Sequence, residues 1–415
     1  MSLYFLLHPL AGLRHLALDE WSDALRQAGH EVEEHTLRRP DAPPEETSAV
    51  VAAAIARRKP AALFAANPLV FTLPRFFERP EVAARPLVCF WFDDPYRPLT
   101  RWEREPGFLD ALRRPFIQHR VWDGHWRTWL AERHGIASLP IHLAADPARF
   151  RPLPPPPDGK GEEVVFIGTL ASRTAIETRK AALSPVLSKA ARQIEAAIVG
   201  GPLGANPFAL VESVLAALPS RLRDEVEALS ARTPDALLAL RALAWHLGKN
   251  EVRRRMLRAA LRAAPVTVFS GNLEQTQAGA GELASLVGEG GHPLRFVDTG
   301  RLPLADLPQL YARGCLHLQG TDPQSVAGGL PFRVFQTTAC GQALLTDVKP
   351  ELLECYAEGR EIACYRTEEE IAPAIEKLLG DAAGRQALAE AGRQRFLAGH
   401  TWQHRVGEVL GGMRS

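Results

Sequence analysis

The sequence predicts an α/β protein with two domains, each built on a parallel sheet. The first observation is length, since 415 residues exceed what one hydrophobic core usually serves. The second is that apolar, strand-like runs alternate with amphipathic helical segments in both halves of the chain. The third is a break rich in proline and glycine at residues 152–161, which is typical of a linker. Continuous apolar strands separated by helices indicate parallel sheets that helices cover on both faces.

The first domain is predicted at residues 1–150. It begins with a strand at Leu3–Leu7 and a helix over Leu13–Ala28, and a later helix is predicted over His125–His134. Three further apolar runs are predicted as buried strands: Ala61–Ala66, Pro86–Phe92 and Pro115–Val121. This order of elements indicates a parallel sheet in the first domain.

A linker at residues 151–162 leads into the second domain, residues 163–398. The second domain repeats the pattern of short apolar runs, at Glu163–Thr169, Val266–Gly271, Leu294–Val297, Cys315–Leu318 and Ala343–Thr346. Roughly a hundred mainly helical residues separate the first two of these strands, far more than an ordinary crossover needs. We therefore expect a helical insertion at about residues 182–264. Residues 399–415 are predicted to form the last helix.

The charge balance argues against nucleic acid or an anionic membrane as a partner. The chain carries 49 Lys and Arg residues against 48 Asp and Glu residues, so it has no strong net field. One arginine-rich stretch, Glu251–Arg258, is interpreted as the solvated face of a helix, because apolar residues interrupt it at helical spacing. The five cysteines include no CxxC pair, which predicts small buried residues rather than a disulfide or zinc framework.

Three features predict a cytoplasmic location. No apolar run reaches the length of about 18 residues that a transmembrane helix needs. The N-terminus lacks the basic segment and apolar core of a signal peptide and is predicted to be a strand. The unpaired pattern of cysteines is typical of a reducing compartment.

The most informative segment runs from Gly328 to Gly341, where a glycine-rich turn leads into a short amphipathic helix. The first N–H groups of a helix have no partner within the helix and carry partial positive charge, so they attract anions. Gly329 would let a ligand approach the backbone, and Arg333 adds a guanidinium that matches phosphate oxygens. This pattern predicts a nucleotide-diphosphate site. The alternative is an ordinary helix and strand with a surface arginine.

Four short motifs together carry a family resemblance. They are Pro331–Gln336, Ala339–Gly341, Leu344–Asp347 and His400–Arg405. Their order and spacing resemble the CgeB-like, spore-maturation-type glycosyltransferases, which belong to the group-1 glycosyltransferases with the GT-B fold. The resemblance is strongest over Val297–Val406. A weaker likeness at Ile141–Pro152 is similar to the segment near the hinge of many group-1 enzymes.

The resemblance implies two Rossmann-like domains that face each other across a cleft. The N-terminal domain would hold the acceptor and the C-terminal domain a nucleotide-diphosphate sugar, with UDP- or GDP-sugars as the expected donors. The last helix would cross back to the N-terminal domain. Enzymes of this fold generally need no metal, so we expect neither a metal nor a further cofactor. Helix N-termini and cationic side chains would neutralise the diphosphate instead.

Candidate donor-binding residues all fall in the second predicted domain. Arg333, with the backbone around Gly329 and Leu330, is the leading candidate for the diphosphate, and Arg173 is a second cation. Gln336 stands where group-1 enzymes commonly carry a glutamate that binds the nucleotide ribose, and an amide oxygen can accept from the same hydroxyl. The remaining candidates lie in loops that follow predicted strands: Gly168, Gly271, Asn272 and Ser325.

Candidate catalytic residues fall in the first half. Asp93 and Asp94 directly follow a buried apolar strand. If the enzyme inverts the anomeric centre, a carboxylate or histidine must take the proton of the acceptor hydroxyl, and either aspartate is a candidate. The alternative for each is a cap before Pro95. His8, at the end of the first strand, is a further candidate, and its alternative is a structural histidine.

One departure from the family pattern leaves other functions open. Retaining group-1 enzymes carry a pair of glutamates, and the first of them would fall near Gly328, where none is present. The stereochemical outcome therefore stays open. The alternatives are a degenerate GT-B protein that binds a nucleotide or glycan without catalysis, and a nucleotide-sugar epimerase or hydrolase on the same fold. The acceptor, whether glycan, protein or small molecule, and the oligomeric state are not determined.

Overall fold

The computed structural model describes residues 1–10, 16–39, 41–154, 162–271, 291–300, 302 and 306–413. The chain divides into two compact units, each with its own sheet. The first unit comprises Met1–Asp146, Val326–Leu330 and His400–Ser415, and the second comprises Pro147–Ser325 and Pro331–Gly399. In the described part of the chain, no helix is both long and apolar enough to span a membrane.

The first unit contains a six-stranded sheet in which every pair of neighbouring strands is parallel. Its strands are β1 Leu3–His8, β2 Glu31–Thr36, β3 Ala62–Ala66, β4 Leu87–Trp91, β5 Ile117–Val121 and β6 Ser138–Pro140. Their order is β2-β1-β3-β4-β5-β6, so the two fully apolar strands β3 and β4 lie in the middle. This arrangement confirms the predicted parallel α/β architecture.

Short helices connect these strands. They are α1 Leu16–Gln27, α2 Pro44–Arg58, α3 Pro80–Ala83, α4 Tyr96–Trp102, α5 Phe108–Leu112 and α6 Gly124–His134. Helix α6 begins where Asp123 accepts hydrogen bonds from the backbone N–H groups of His125 and Trp126. It ends at Gly135, whose φ of 65° is the left-handed conformation that glycine adopts without strain. Two 3-10 turns, Pro68–Thr72 and Pro74–Glu78, follow β3.

The second unit contains another six-stranded parallel sheet. Its strands are β7 Glu162–Ile167, β8 Val266–Ser270, β9 Leu294–Asp298, β10 Gly314–Gln319, β11 Ala343–Asp347 and β12 Ala363–Tyr365. Their order is β12-β11-β10-β7-β8-β9. The carboxyl ends of all six strands therefore lie at one edge of this sheet, where α/β proteins bind ligands.

A helical insertion is present, and its first helix begins before the predicted start at about residue 182. It consists of α7 Arg173–Ala181, α8 Pro185–Gly200, α9 Pro207–Ala217, α10 Ser220–Arg232 and α11 Pro234–Ala260. These helices share a core of their own, which includes Ile194 and Leu240. The last turns of α11 leave that core, and Met256 and Leu257 pack into the core beneath the second sheet. One long helix thus joins the insertion rigidly to the sheet.

The remaining helices of the second unit are α12 Leu307–Tyr311, α13 Phe332–Ala339, α14 Pro350–Cys355, α15 Ile371–Gly380 and α16 Ala382–Gly399, with a 3-10 turn at Glu368–Glu370. Helix α17, Trp402–Gly412, belongs to the first unit. Its Trp402 is fully buried and donates a hydrogen bond from the indole Nε1 to Glu20 of α1. Arg405 also donates from Nε to the carbonyl of His142, 3.1 Å away.

Candidate functional site

A buried cation marks the carboxyl edge of the second sheet. Arg253, near the end of α11, is only 5% exposed, so the prediction that its stretch is a solvated helix face is wrong at this residue. Its Nη1 donates to the carbonyl and, at 3.2 Å, to the hydroxyl of Thr169, just after β7. Its Nη2 lies 3.8 Å from a carboxylate oxygen of Asp322. Burial lowers the pKa of Arg253 to about 10, with Asp322 opposing this shift and Arg333 adding to it.

Arg333 is the second cation at this edge. It lies in the first turn of α13 and is partly buried. Its positive charge contributes to lowering the pKa of Arg253, so the two guanidinium groups lie within electrostatic range of each other. Among the residues that the structure describes, none forms a hydrogen bond or ion pair with the Arg333 side chain. Asp322 pairs with Arg253 alone, so the two cations together leave an excess of positive charge among the described residues, which favours an anionic ligand.

The loop after β10 is held in place from two directions. Thr321 donates from its backbone N–H to the Asp347 carboxylate over 2.8 Å, and its hydroxyl donates to the same oxygen. Asp322 accepts a 2.6 Å hydrogen bond from the indole of Trp245 in α11. The side chains of Thr321 and Asp322 thus support the loop itself. Helix α11 fixes this loop through Trp245 as well as through Arg253.

Eight buried side-chain polar atoms of the second unit have no hydrogen-bond partner within the described part of the chain, and three of these bear on the candidate site. They are the Ser325 hydroxyl, the Ser270 hydroxyl and Nε of Arg253. Ser325 lies within the loop that follows β10, and Ser270 is the last residue of β8. Each therefore lies at or just beyond the carboxyl end of a strand, as a ligand contact in this fold would. Because a buried polar group without a partner is costly, these atoms indicate positions that a polar ligand would satisfy.

The glycine-rich turn has a different partner from the one predicted. Backbone N–H groups of Ala327, Gly328 and Gly329 converge on Oδ2 of Asp123, at 3.0, 3.0 and 2.9 Å. Asp123 is fully buried and belongs, like the turn, to the first unit. The Gly329 N–H group therefore binds a carboxylate of the protein in this structure. The neighbouring Leu330 is 2% exposed. The turn does cradle an anion, and that anion is Asp123.

Gly329 is required at this turn because no side chain fits there. A Cβ atom at this position would lie 2.8 Å from Cδ2 of Trp122 and 2.9 Å from Cβ of Asp123. We expect Gly329→Ala to lower the free energy of unfolding by about 1–3 kcal/mol through overpacking. Urea unfolding would measure this loss. Gly407→Ala in α17 is the control, since no atom lies within 4 Å of its added Cβ, and equal stability of the two variants would contradict the expectation.

Gln336 is also engaged within the protein. It is 3% exposed, and its Oε1 accepts a 2.7 Å hydrogen bond from the hydroxyl of Tyr311. This is the amide oxygen that the sequence reasoning assigned to a nucleotide ribose. In this structure, Gln336 links α13 to α12.

The other predicted donor residues lie in separate surroundings. Arg173 is exposed in the first turn of α7 and lines a cavity of about 220 Å³ within the helical insertion, together with Glu177 and Glu251. Gly168 is buried, and its N–H donates to the carbonyl of Phe269 in β8. A Cβ atom at Gly271 would lie 2.6 Å from the Gly300 carbonyl oxygen, so that loop is closely packed. Asn272 lies outside the described residues.

The two candidate carboxylates differ in their burial and in their hydrogen-bond partners. Asp94 is 1% exposed, and Arg97 binds it through the backbone N–H at 3.0 Å and through Nε at 2.7 Å. Burial raises the pKa of Asp94, and the Arg97 guanidinium opposes that shift. Asp94 therefore acts as a buried support for the start of α4. Asp93 is partly buried and accepts a 2.8 Å hydrogen bond from Nδ2 of Asn67.

His8 lies at the end of β1, on the same sheet edge as Asp93. It is 4% exposed, and its Nε2 lies 3.5 Å from a Glu34 carboxylate oxygen. His8 is therefore a buried histidine beside a carboxylate of the neighbouring strand β2. In the described part of the chain, no group of three or more His, Cys, Asp or Glu side chains is placed to hold a metal ion.

Sequence reasoning missed four residues that organise these edges: Arg253, Asp123, Asn67 and Trp245. Two of them had a local signal, since Asn67 directly follows β3 and Asp123 lies two residues after the end of β5. Polar residues at the carboxyl ends of parallel strands are candidates for function. Arg253 and Trp245 lie inside a long helix, and their positions there carried no such signal.

Comparison with known proteins identifies the fold. Residues 253–411 match a family model described as glycosyl transferase-like. A comparison with curated proteins found no match. The crystal structure of Anabaena HepE in complex with UDP and glucose is similar over 99% of this chain and 100% of that chain, with 13% identity and a TM-score of 0.58.

Two further structures agree. A glycosyltransferase from Rickettsia africae is similar over 99% of this chain and 97% of that chain, with 8% identity and a TM-score of 0.58. Sucrose-phosphate synthase from Thermosynechococcus elongatus covers 100% of this chain and 99% of its own, with 13% identity and a TM-score of 0.55. The chain therefore has the GT-B fold of these glycosyltransferase structures, and its residues 253–411 match the glycosyl transferase-like family model.

Proposed function

We propose that the protein is a glycosyltransferase that moves a sugar from a nucleotide-diphosphate donor to an acceptor hydroxyl without a required metal. The observation that carries this proposal is the pair of cations at the carboxyl edge of the second sheet. Arg253 is buried with its Nε lacking a partner, and the Arg333 side chain has no partner among the described residues. A diphosphate would supply the negative charge that this pair lacks.

The chemistry of the reaction explains why such cations are useful. As the bond between the anomeric carbon and the diphosphate breaks, the electron pair leaves with the diphosphate and negative charge grows on its oxygens. Fixed guanidinium groups stabilise that charge in the transition state more than in the bound donor, which lowers the barrier. Arg333 also lies in the first turn of α13, where the helix dipole adds to the same effect. The Ser325 and Ser270 hydroxyls are assigned to the donor for their unpaired, buried oxygens.

The proton acceptor is assigned to the first unit. Asp93 is the better of the two carboxylates, because Arg97 already binds both oxygens of the buried Asp94. In an inverting reaction, Asp93 takes the proton of the acceptor hydroxyl as its oxygen bonds to the anomeric carbon. The acceptor class, whether glycan, protein or small molecule, is not part of the proposal.

UDP-sugars are the proposed donors, and GDP-sugars are the second choice. The structure of Anabaena HepE, which shares this fold, was determined with UDP and glucose. Within the group-1 enzymes, we propose the CgeB-like subgroup on the motifs from Pro331 to Asp347 and His400 to Arg405. We also propose a cytoplasmic location.

A second candidate function is a GT-B protein that binds a nucleotide or glycan without catalysis. The observation that favours it is Gln336, which stands at the ribose position of the family and is buried against Tyr311. A nucleotide-sugar epimerase or hydrolase is the other alternative. Free sugar released at the same rate with and without an acceptor would favour an epimerase or hydrolase.

Nucleotide binding tests the proposal directly. Calorimetry and thermal shift with UDP, GDP, CDP, dTDP and ADP, each with and without a chelator, would be measured on the full chain. We expect saturable binding of UDP that the chelator does not change, and a rise in melting temperature with ligand concentration, since a ligand that binds only the native state stabilises it. Absence of binding by all five nucleotides would overturn the proposal.

A further inference from the structure

Asn67 has an unusual backbone conformation at the end of β3. Its φ of 58° and ψ of 162° place it outside the regions that side-chain-bearing residues normally occupy. Among the described residues, only Lys59 is another non-glycine residue with positive φ, and Lys59 ends α2 in an ordinary left-handed cap. Asn67 also precedes a proline, and such residues favour extended backbone with negative φ. Strain of this kind persists where the surrounding structure enforces it, and it is common at functional sites.

The Asn67 side chain shows what this conformation achieves. Its Oδ1 accepts from the backbone N–H of Phe92 at 3.3 Å, and its Nδ2 donates to Oδ2 of Asp93 at 2.8 Å. Its own backbone N–H donates to the carbonyl of Phe90 at 2.6 Å. Because the Phe92 N–H can only donate, it fixes which end of the amide faces Asp93. Asn67 thus holds the Asp93 carboxylate from the neighbouring strand.

We propose that Asn67 is a positioning residue that holds Asp93, in its ionised form, where it takes the proton of the acceptor hydroxyl. This inference rests on the proposed function. A hydrogen bond donated to a carboxylate favours the charged form and limits its rotation. The proton passes to Asp93 while the acceptor oxygen bonds to the anomeric carbon, and the diphosphate departs with the electron pair of the broken bond.

Asn67→Gly separates this role from a structural one. Glycine adopts positive φ without strain, so the backbone is accommodated while the amide is lost. We expect the rate of UDP release from UDP-glucose at saturation, kcat, to fall about 10- to 100-fold. The KM for UDP-glucose and the affinity for UDP should stay within about twofold of wild type, since Asn67 belongs to the first unit and the proposed donor residues belong to the second. The melting temperature should not fall.

Lys59→Gly is the matched control, because it makes the same replacement at the other positive-φ residue, far from Asp93 in the chain. It should change neither kcat nor KM. A second readout needs no turnover: labelling of Asp93 by a water-soluble carbodiimide, measured by mass spectrometry with Asp94 in the same peptide as reference. We expect Asn67→Gly to raise the labelling rate of Asp93 severalfold and Lys59→Gly to leave it unchanged.

The outcomes distinguish this inference from the function on which it rests. Unchanged kcat and unchanged carbodiimide labelling in Asn67→Gly, in a protein that binds UDP, would overturn the role of Asn67 alone. A wild-type protein that binds none of the five nucleotides would overturn the proposed function and this inference together. A fall in kcat that Lys59→Gly reproduces would show a general effect of added glycine and would also overturn the role of Asn67.

Discussion

Replacing Arg253 with glutamine is expected to weaken UDP binding by about 10- to 100-fold, which corresponds to about 1.5–3 kcal/mol for a charge-assisted hydrogen bond. The guanidinium is buried at the carboxyl edge of the second sheet, where little solvent competes for a diphosphate oxygen. Calorimetric titration with UDP would measure the loss. Glutamine keeps much of the side-chain volume, so packing against neighbouring residues changes less than it would with alanine.

Arg254→Gln is the matched control. Arg254 follows directly in α11, and it lines the cavity of the helical insertion with Arg173 instead of the donor edge. Its replacement should leave UDP affinity within about twofold of wild type. Because Arg253 also binds Thr169 and Asp322, its variant is expected to lose stability, and unfolding by urea must accompany each titration.

Arg333→Ala separates binding from stability. Its side chain has no partner in the described part of the chain, so the variant should lose UDP affinity by a similar factor at little cost in stability. Wild-type affinity in both Arg253→Gln and Arg333→Ala would remove the donor site from this edge. Loss in the Arg254→Gln control alone would place the nucleotide in the cavity of the insertion instead.

The two adjacent aspartates are expected to respond in opposite ways. Asp93→Asn should lower kcat for donor turnover by about 10²- to 10⁴-fold, the usual contribution of a general base, without changing UDP affinity. Its melting temperature should stay close to that of wild type, because the amide keeps the shape of the carboxylate and Asp93 is only partly buried. Steady-state kinetics and thermal unfolding on the same preparation would measure both effects.

Asp94→Asn should affect stability instead. It removes the charge that the Arg97 guanidinium binds at a side chain with 0% exposure, and we expect a loss of about 1–3 kcal/mol in the free energy of unfolding. Turnover per folded molecule should remain within about tenfold of wild type. The reverse pattern, with a stable and inactive Asp94→Asn variant beside an active Asp93→Asn variant, would transfer the base to Asp94.

Prediction of secondary structure failed where tertiary contacts support a polar strand. The strand β2 at Glu31–Thr36 contains three glutamates and has no apolar run. It forms the edge of the first sheet, where charged side chains are tolerated. Arg58 from α2 binds both Glu31 and Glu33, so these carboxylates are paired outside the core. Local pattern cannot reveal such pairing, because the partner is supplied by a separate element.

The glycine turn likewise depends on a partner that local sequence does not reveal. A turn that attracts an anion was predictable from Gly328 and Gly329, but the anion was not. Asp123 stands 206 residues before Gly329 in the chain, and its carboxylate accepts the hydrogen bonds of the turn because β5 brings it to the edge of the first sheet. The sequence likewise showed two carboxylates after β4 and could not rank them. Their hydrogen-bond partners distinguish them, because Arg97 donates to the buried Asp94 and Asn67 donates to Asp93.

The alternation of apolar runs and helices was sufficient to predict the α/β class, the parallel sheets and the helical insertion. The face that a strand or helix buries shows in the spacing of apolar residues along the chain. The identity of the site residues depended on contacts between distant segments. Arg253 donates a hydrogen bond to Thr169, which lies 84 residues earlier in the chain. An arginine exposed to solvent could occupy the same position in the helical pattern. The order of the strands and the packing of α11 decide which residues surround Arg253. Those neighbours determine how deeply its guanidinium is buried and which charges lie near it.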